Sequence, residues 1–254
     1  MFDMVLFKNF LTNFLLCLSF ISRIPVRLKD LNDWEESIKR STVYFPAVGY
    51  IPGMIYSFGV FLLQRAPNLR LLILPIFLAI GYYLFDLFHF DGLLDTLDGF
   101  LNQSEKERRL EIMAKGNVGP FAIFYGTLYV VLLYQLMNEL YWKDFLFAAV
   151  FGRYGMNTLL TFSVPAKPNG LGAMLFPYNK LFTFYATIFT LPLALLDLQA
   201  YIISFSLTWF TGYIFTKVSE LKIGGVTGDV IGASCLITQM VVLLVFYGLK
   251  FTRS

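Results

Sequence analysis

Long apolar stretches constrain the fold of this chain more than any other feature of its sequence. A membrane-spanning helix needs about 20 consecutive, mostly apolar residues. Seven stretches reach or nearly reach that length: 43–63, 70–90, 117–138, 142–163, 181–196, 199–216 and 230–249. None alternates apolar and polar residues as a strand would, and a chain inside lipid has to satisfy its backbone hydrogen bonds internally. The sequence therefore predicts an all-α, polytopic membrane protein with about seven spanning helices, built as a single domain over residues 1–254.

Two parts of this pattern allow more than one interpretation. The fifth and sixth stretches are short, and only the region of Asp197 separates them, which is consistent with a tight helical hairpin. Residues 4–21 are apolar but include several polar side chains, and no small-x-small cleavage site of a signal peptide follows them. We therefore expect a retained N-terminal helix that is either interfacial or spanning.

The composition excludes several classes of protein. Apolar residues make up 57% of the chain and charged residues 15%, against roughly 45–50% and ~25% in soluble domains. This excludes a disordered chain, a coiled coil and an ordinary soluble domain, and it makes the lipid bilayer a partner. The formal net charge is only +3, so nucleic-acid binding is not expected. Cys17 and Cys235 lie far apart in apolar runs, and we expect neither a disulfide bond nor a zinc site.

The basic residues predict which loops face the cytoplasm. Cytoplasmic loops of membrane proteins carry an excess of Lys and Arg. The alternate loops 22–42, 91–116, 164–180 and 217–229 together hold thirteen of these residues, and the loops on the other side hold five. We therefore expect a protein of the cell inner membrane in which the first set of loops faces the cytoplasm.

The densest acidic motif follows the second apolar stretch. Asp91, Asp95 and Asp98 stand at positions i, i+4 and i+7, so they fall within an arc of about 60° on one helical face. Three carboxylates on one face repel each other. A hard divalent cation would offset the repulsion, since Mg²⁺ takes oxygen ligands and leaves positions for substrate phosphates. The motif predicts a Mg²⁺ site where the chain leaves the membrane.

A second candidate is the glycine-rich segment 224–229, which opens the last apolar stretch. Gly225, Thr227 and Gly228 form a loop that is able to cradle phosphate at a helix N-terminus, although it lacks the spacing of a Walker loop. Asp229 would then join the acidic site. The alternative is that Asp229 only caps the final helix.

The remaining candidates have two interpretations each. Arg153 lies inside an apolar stretch and either reaches a substrate phosphate or pairs with Asp86. His89 is the only histidine and a candidate base, but on a continuous helix it points away from the acidic face. Arg23 and Lys167 are ambiguous from spacing alone. Together these residues indicate phosphoryl-group transfer at a cytoplasmic membrane face.

Motifs along nearly the whole chain resemble the cobalamin synthase family, the adenosylcobinamide-GDP ribazoletransferases. They occur in the order found in that family: SRIPV at 22–26, YFPAVG at 44–49, HFDGLLDTLDG at 89–99, RLEIM at 109–113, Lys167 with GLG at 170–172, and GGVTGD at 224–229 followed by GA at 232–233.

The resemblance implies a reaction and a set of roles. The enzyme would join adenosylcobinamide-GDP to α-ribazole or its 5′-phosphate, give adenosylcobalamin or its phosphate, and release GMP, with Mg²⁺ as cofactor. Asp91, Asp95 and Asp98 would hold Mg²⁺, Asp229 would join them or orient the nucleophile, and His89 would be the candidate base. The substrate contacts would be Arg23, Arg153, Lys167, Gly225, Thr227 and Gly228. The possible protein partners are a second copy of the chain or other cobalamin-pathway enzymes.

Some positions depart from the family pattern, and two other readings compete with it. The family usually has an aspartate in the segment that follows Met113, and this chain has none there. Leu236 and Gln239 stand where many members have glutamate. The segment 95–99 echoes the D-x-x-D-G of CDP-alcohol phosphotransferases, but the rest of that pattern does not follow. A transporter would place its polar groups near the membrane midplane, whereas here they cluster at the end of a span.

Overall fold

The computed structural model describes residues 2–26 and 33–252, and the regular structure in these ranges is helical. The α-helices in them are α1 Phe2–Ile21, α2 Trp34–Ser41, α3 Phe45–Arg65, α4 Arg70–Gly81, α5 Leu87–Leu101, α6 Lys106–Ala114, α7 Pro120–Glu139, α8 Trp142–Phe162, α9 Leu181–Ile188, α10 Pro192–Leu196, α11 Leu198–Ile223 and α12 Gly228–Thr252. A π-helical turn, Tyr82–Asp86, joins α4 directly to α5.

Four helical stretches in the described ranges are long and apolar enough to cross a membrane: Trp34–Arg65, Pro67–Leu101, Pro120–Glu139 and Gly228–Lys250. They correspond to four of the seven predicted spans. The predicted all-α, polytopic fold is confirmed. Helices α8 and α11 match two further predicted spans and are 21 and 26 residues long, but they are less uniformly apolar. The number of seven spans stays a prediction.

The fifth predicted span is broken into α9 and α10. Pro192 stands at the first turn of α10, where a missing backbone N–H costs nothing. Asp197 then accepts a hydrogen bond from the backbone N of Ala200 at 3.0 Å and caps α11. Only Asp197 separates α10 from α11, as the helical hairpin interpretation predicted.

The N-terminal segment forms one continuous helix, α1. Its buried residues Leu16, Cys17 and Ile21 pack in the same cluster as residues of α2 and α3. The retained helix is therefore present, and the choice between an interfacial and a spanning position stays a prediction. Arg27 and Lys29, which contribute to the count of basic residues, lie outside the described residues, as does Arg253.

Helix α8 forms the centre of the bundle, with 16 of its 21 residues buried. Small residues let its neighbours approach closely, as is usual between helices in a membrane. A Cβ added at Gly49 of α3 would lie 2.8 Å from the Ala149 carbonyl oxygen, and one at Gly152 would lie 2.8 Å from the Cys235 carbonyl oxygen of α12. Helices α3 and α12 thus both pack closely against α8, and α5 packs on α12.

The helices define two ends of the bundle. At one end α5, α8 and α11 end while α7 and α12 begin. This carboxylate end consists of the segments 91–120, 163–172 and 224–229. Backbone hydrogen bonds join 163–172 to 224–229, and Lys167 donates to the first segment at Leu110. At the opposite end α7 ends and α8 begins, and α10 leads into α11.

Candidate active site

The acidic motif lies on one continuous helix. Helix α5 runs through Gly92 without a break, so Asp91, Asp95 and Asp98 share one face, as their spacing predicts. Asp91 is exposed, Asp95 is half-buried and Asp98 is buried. The face therefore becomes more buried toward the end of the helix.

Helix α12 brings a fourth carboxylate to this face. A Cβ added at Gly92 would lie only 2.6 Å from the Asp229 carbonyl oxygen, so the glycine permits α5 and the start of α12 to touch. Asp229, Asp91 and Asp98 all repel Asp95 electrostatically. Gly92 and Asp229, which are 137 positions apart in the sequence, thus lie in contact, and the four carboxylates come from two helices.

Asp98 has a structural partner that the sequence analysis missed. Its Oδ2 accepts a hydrogen bond from the backbone N of Gly119 at 2.6 Å, and its Oδ1 accepts one from Ala122 N at 3.0 Å. Asp98 therefore caps the N-terminus of α7, where a carboxylate is favourable for the helix dipole. Gly119 and Pro120 offer α7 no side-chain cap of their own. This absence of a local cap was the feature of the sequence that indicated a cap from elsewhere in the chain. Both Asp98 oxygens already have partners, so Asp91 and Asp95 are the freer ligands.

The glycine-rich segment is shaped mainly by the chain itself. Gly224 ends α11 with a positive φ of 78°, and Gly225 follows with a φ of 154°. A Cβ at Gly225 would lie 2.5 Å from the Val164 carbonyl oxygen. The next residue, Val226, donates from its N to that oxygen at 2.9 Å. The close approach at Gly225 is thus to residues 164–166, and its predicted phosphate contact stays a prediction.

The cap of α12 is Thr227 and not Asp229. Thr227 Oγ1 accepts a hydrogen bond from Val230 N at 3.4 Å and donates one to Asp229 Oδ2 at 3.1 Å. Asp229 lies in the first turn of the helix. The alternative in which Asp229 only caps the last helix is therefore corrected, and its carboxylate faces the acidic site. Gly228 is exposed beside it.

Lys167 brings positive charge to the same place. Its Nζ donates to the Leu110 carbonyl oxygen of α6 at 3.3 Å, and its charge attracts Asp229. The segment that carries it packs on the start of α12, since a Cβ at Gly172 would lie 2.5 Å from Gly228 N. Lys167 is the one predicted basic contact that the structure brings to the carboxylates.

Residues 13–247 match the profile of the family described as cobalamin-5-phosphate synthase. The chain belongs to this family. It is 57% identical over 238 residues to a protein of Fervidobacterium nodosum, covering 94% of this chain and 98% of the relative. A protein of Thermosipho melanesiensis is 53% identical over 233 residues, covering 92% and 97%, and one of Kosmotoga olearia is 44% identical over 229 residues, covering 90% and 95%. All three are named adenosylcobinamide-GDP ribazoletransferase. No solved structure matches the chain.

In this member of the cobalamin-5-phosphate synthase family, Arg153 pairs with Asp86. Arg153 Nη2 lies 2.6 Å from Asp86 Oδ1, and the two side chains are 0% and 1% exposed. Of the two interpretations of Arg153, the structure shows the buried ion pair. The predicted phosphate contact has no support from its placement, because the guanidinium is fully buried and paired with Asp86.

His89 also faces the interior. The residue is 4% exposed, and its ring nitrogen lies within 4.8 Å of the Asp86 carboxylate and the Cys235 thiol. Because α5 does not bend at Gly92, His89 lies roughly opposite the face shared by the three aspartates, as helical geometry predicted. Its placement gives no support to a role as catalytic base.

Arg23 lies beside the π-helical turn. Its guanidinium carbon is 4.5 Å from the centre of the Tyr83 ring, and its backbone N donates to the Leu84 carbonyl oxygen at 2.8 Å. The side chain is exposed. The structure therefore does not bring Arg23 into contact with the carboxylates, and its predicted substrate contact stays a prediction.

Proposed function

We propose that the chain is an adenosylcobinamide-GDP ribazoletransferase, as its relatives are named. A hydroxyl of α-ribazole, or of its 5′-phosphate, would attack the phosphorus nearer the cobinamide. The bond from that phosphorus to the oxygen bridging the two phosphates breaks, GMP leaves, and the hydroxyl proton is released. The observation that carries the proposal is the meeting of Asp91, Asp95 and Asp229 beside Lys167, at the motifs that match the family.

The same carboxylates would hold Mg²⁺. Asp91, Asp95 and Asp229 present oxygen ligands, which Mg²⁺ prefers, and the repulsion among them is what a divalent cation would relieve. When bound, the ion would supply charge neutralisation for the phosphate that leaves. Asp98 would act by holding α7 in place rather than as the main ligand.

The chain's own residues would handle the diphosphate from the other side. Lys167 would contact a phosphate oxygen. The attraction between its charge and that of Asp229 would keep both side chains oriented. Gly228 is exposed at the first turn of α12, where backbone N–H groups favour anions. This arrangement would place the reacting phosphates between α12 and the segment 164–172.

We further propose that the carboxylate end faces the cytoplasm across the inner membrane. Its segments coincide with three of the loops that contain the excess of Lys and Arg, and such loops face the cytoplasm. Assembly with a second copy or with other cobalamin-pathway enzymes also stays a proposal.

The test is a transfer assay in membranes that contain the wild-type chain. Adenosylcobinamide-GDP and α-ribazole are supplied with Mg²⁺, and release of GMP and formation of the corrinoid product are followed. We expect equal amounts of the two products, loss of both with a chelator, and recovery when Mg²⁺ is restored. Formation of neither product by folded protein would overturn the proposal. A CDP-lipid substrate and a vesicle uptake assay then test for the phosphotransferase and the transporter.

A further inference from the structure

One buried carboxylate connects three helical segments. Asp86, the last residue of the π-helical turn, accepts a hydrogen bond from Arg153 of α8 at 2.6 Å on its Oδ1. Its Oδ2 accepts one from the hydroxyl of Tyr56 on α3. All three side chains are at least 96% buried. We call Tyr56, Asp86 and Arg153 the buried cluster.

Stability alone gives little reason to keep this cluster. Removing two charges from water costs about as much as their attraction returns, so a buried ion pair is often no more stabilising than an apolar pair of the same size. Within a membrane domain the desolvation cost applies fully, and charged residues there usually mark function. Directional bonds do offer something that apolar contacts lack, since they specify one orientation.

The buried cluster lies at the N-terminus of α5, the helix that contains the acidic motif. Asp86 immediately precedes α5, and Asp95 is nine residues further on, about 180° around the helix. The side of α5 that touches α12 carries His89 and Gly92 and lies between the directions of Asp86 and Asp95. The bonds from Asp86 to α3 and α8 therefore fix the rotation at which Gly92 meets α12 and Asp95 lies near Asp229. Asp86 ends the π-helical turn and is buried there, and such turns are frequent at functional sites.

We propose that Asp86 is a positioning residue for the transfer reaction. Held by Tyr56 and Arg153, it sets the rotation of α5 about its axis and thereby the direction in which Asp91 and Asp95 point. The proposal rests on the proposed function for its catalytic part, and its structural part does not depend on it.

A metal site is the other use that this region suggests. The ligand atoms of Asp86, His89 and Cys235 lie within 4.8 Å of one another, and His89 Nε2 has no hydrogen-bond partner in the described part of the chain. However, both Asp86 oxygens are taken by the buried cluster, and the Arg153 guanidinium would repel a cation. The geometry therefore favours positioning.

The test replaces the pair by apolar residues of similar size, Asp86→Leu with Arg153→Met. We expect a melting temperature in detergent equal to or above that of the wild type. We expect kcat to fall by about tenfold to 100-fold, because small misplacements of catalytic groups have effects of that order, while KM for both substrates changes by less than about threefold. The matched control is the ion pair of the opposite end, Lys143→Gln with Asp197→Asn, which should leave kcat unchanged.

Tyr56→Phe is a second variant that tests the proposal even if the double variant loses stability. It removes one hydrogen bond from Asp86 and leaves no unpaired buried charge. A lower kcat at an unchanged melting temperature supports the proposal. A wild-type kcat in both Tyr56→Phe and the double variant overturns it, and shows that packing alone orients α5.

A cross-linking measurement reads the rotation of α5 without any reaction. A Cβ at Gly126 of α7 would touch the Leu94 side chain of α5, so Leu94→Cys with Gly126→Cys places two thiols in reach of a short bifunctional reagent. We expect the cross-link yield to fall severalfold when the pair at 86 and 153 is made apolar. An unchanged yield overturns the structural part, whereas failure of wild-type GMP release overturns only the proposed function.

Discussion

The two ends of the bundle differ in the neighbours of their aspartates. At the opposite end, Lys143 lies 2.7 Å from Asp197 and Lys250 lies 3.3 Å from Glu139. At the carboxylate end, like charges from α5 and α12 are gathered together, with Lys167 as the cation that the structure brings to them. Paired charges at a helix end are sufficiently explained by stability. A cluster of like charges opposes stability, and function is the better explanation for it.

Cavity volume does not indicate the carboxylate end as the site. The larger of two neighbouring cavities has a volume of about 420 Å³ and lies at the opposite end, lined by Lys143, Asp144, Asp197 and Lys250 among others. Asp144 accepts a hydrogen bond from Tyr141 N at 2.9 Å, and the other three form the ion pairs described above. The charges that line this cavity are therefore already satisfied, so we locate the site by its unsatisfied charge and not by volume.

Asp95→Asn should have the largest effect and separates function from stability most clearly. We expect transfer activity to fall by about 100-fold or more, as when a preorganised charge-stabilising group is lost. The melting temperature should stay the same or rise, since one of several repelling charges is removed. Activity and thermal unfolding of the purified protein are measured together, with Asp197→Asn as the control that keeps wild-type activity. Full activity of Asp95→Asn would mean that the carboxylate end is not the active site.

Gly92→Ala tests the close contact that assembles the carboxylates. The new methyl group would lie 2.6 Å from the Asp229 carbonyl oxygen, so α5 and α12 have to separate, at a cost of about 1–3 kcal/mol in unfolding free energy. Activity should fall as well. Gly248→Ala in α12 is the matched control, because no atom lies within 4 Å of its new Cβ. Equal melting temperatures for both variants would contradict the contact.

Asp98→Asn should differ from Asp95→Asn although both residues share one face of α5. The two carboxylate oxygens of Asp98 accept hydrogen bonds from Gly119 N and Ala122 N. The amide of asparagine has only one oxygen, and its nitrogen is a donor, so it cannot accept both bonds in this way. Loss of this cap should lower the unfolding free energy by about 1–2 kcal/mol. Denaturant or thermal unfolding of the two variants gives the comparison, and a rise in stability for Asp98→Asn would show that capping is unimportant.

The smallest expected effect is the pH dependence of the stability that Asp197 contributes at the opposite end. The hydrogen bond from Ala200 N, with a further one from Lys143, lowers the pKa of Asp197 from its ordinary value of 3.8. Because the folded-state pKa is the lower one, Asp197 stabilises the fold above about pH 4, and this contribution is lost as the pH falls through the folded-state pKa. The difference in melting temperature between the wild type and Asp197→Asn should therefore shrink on going from pH 7 to pH 3. A constant difference would show that the charge of Asp197 contributes nothing.

Much of the fold was predictable from apolar length, and the exceptions have physical causes. The second span continues as helix past residue 90 to Leu101, so the acidic motif belongs to the same helical stretch that crosses the membrane. Helix α8 is less apolar than a lipid-facing span, because protein rather than lipid surrounds it. The fifth span breaks at Pro192, where the pattern of apolar residues alone shows no interruption.

The sequence by itself determined what depends on near neighbours. The shared face of Asp91, Asp95 and Asp98 follows from helical periodicity, and so does the direction of His89 away from that face. Only the tertiary structure decided which partner each group has. Asp98 caps a helix that begins more than 20 residues later, and Arg153 pairs with a carboxylate 67 residues earlier in the chain. Such partners follow from the packing of whole helices, which spacing within one segment does not encode.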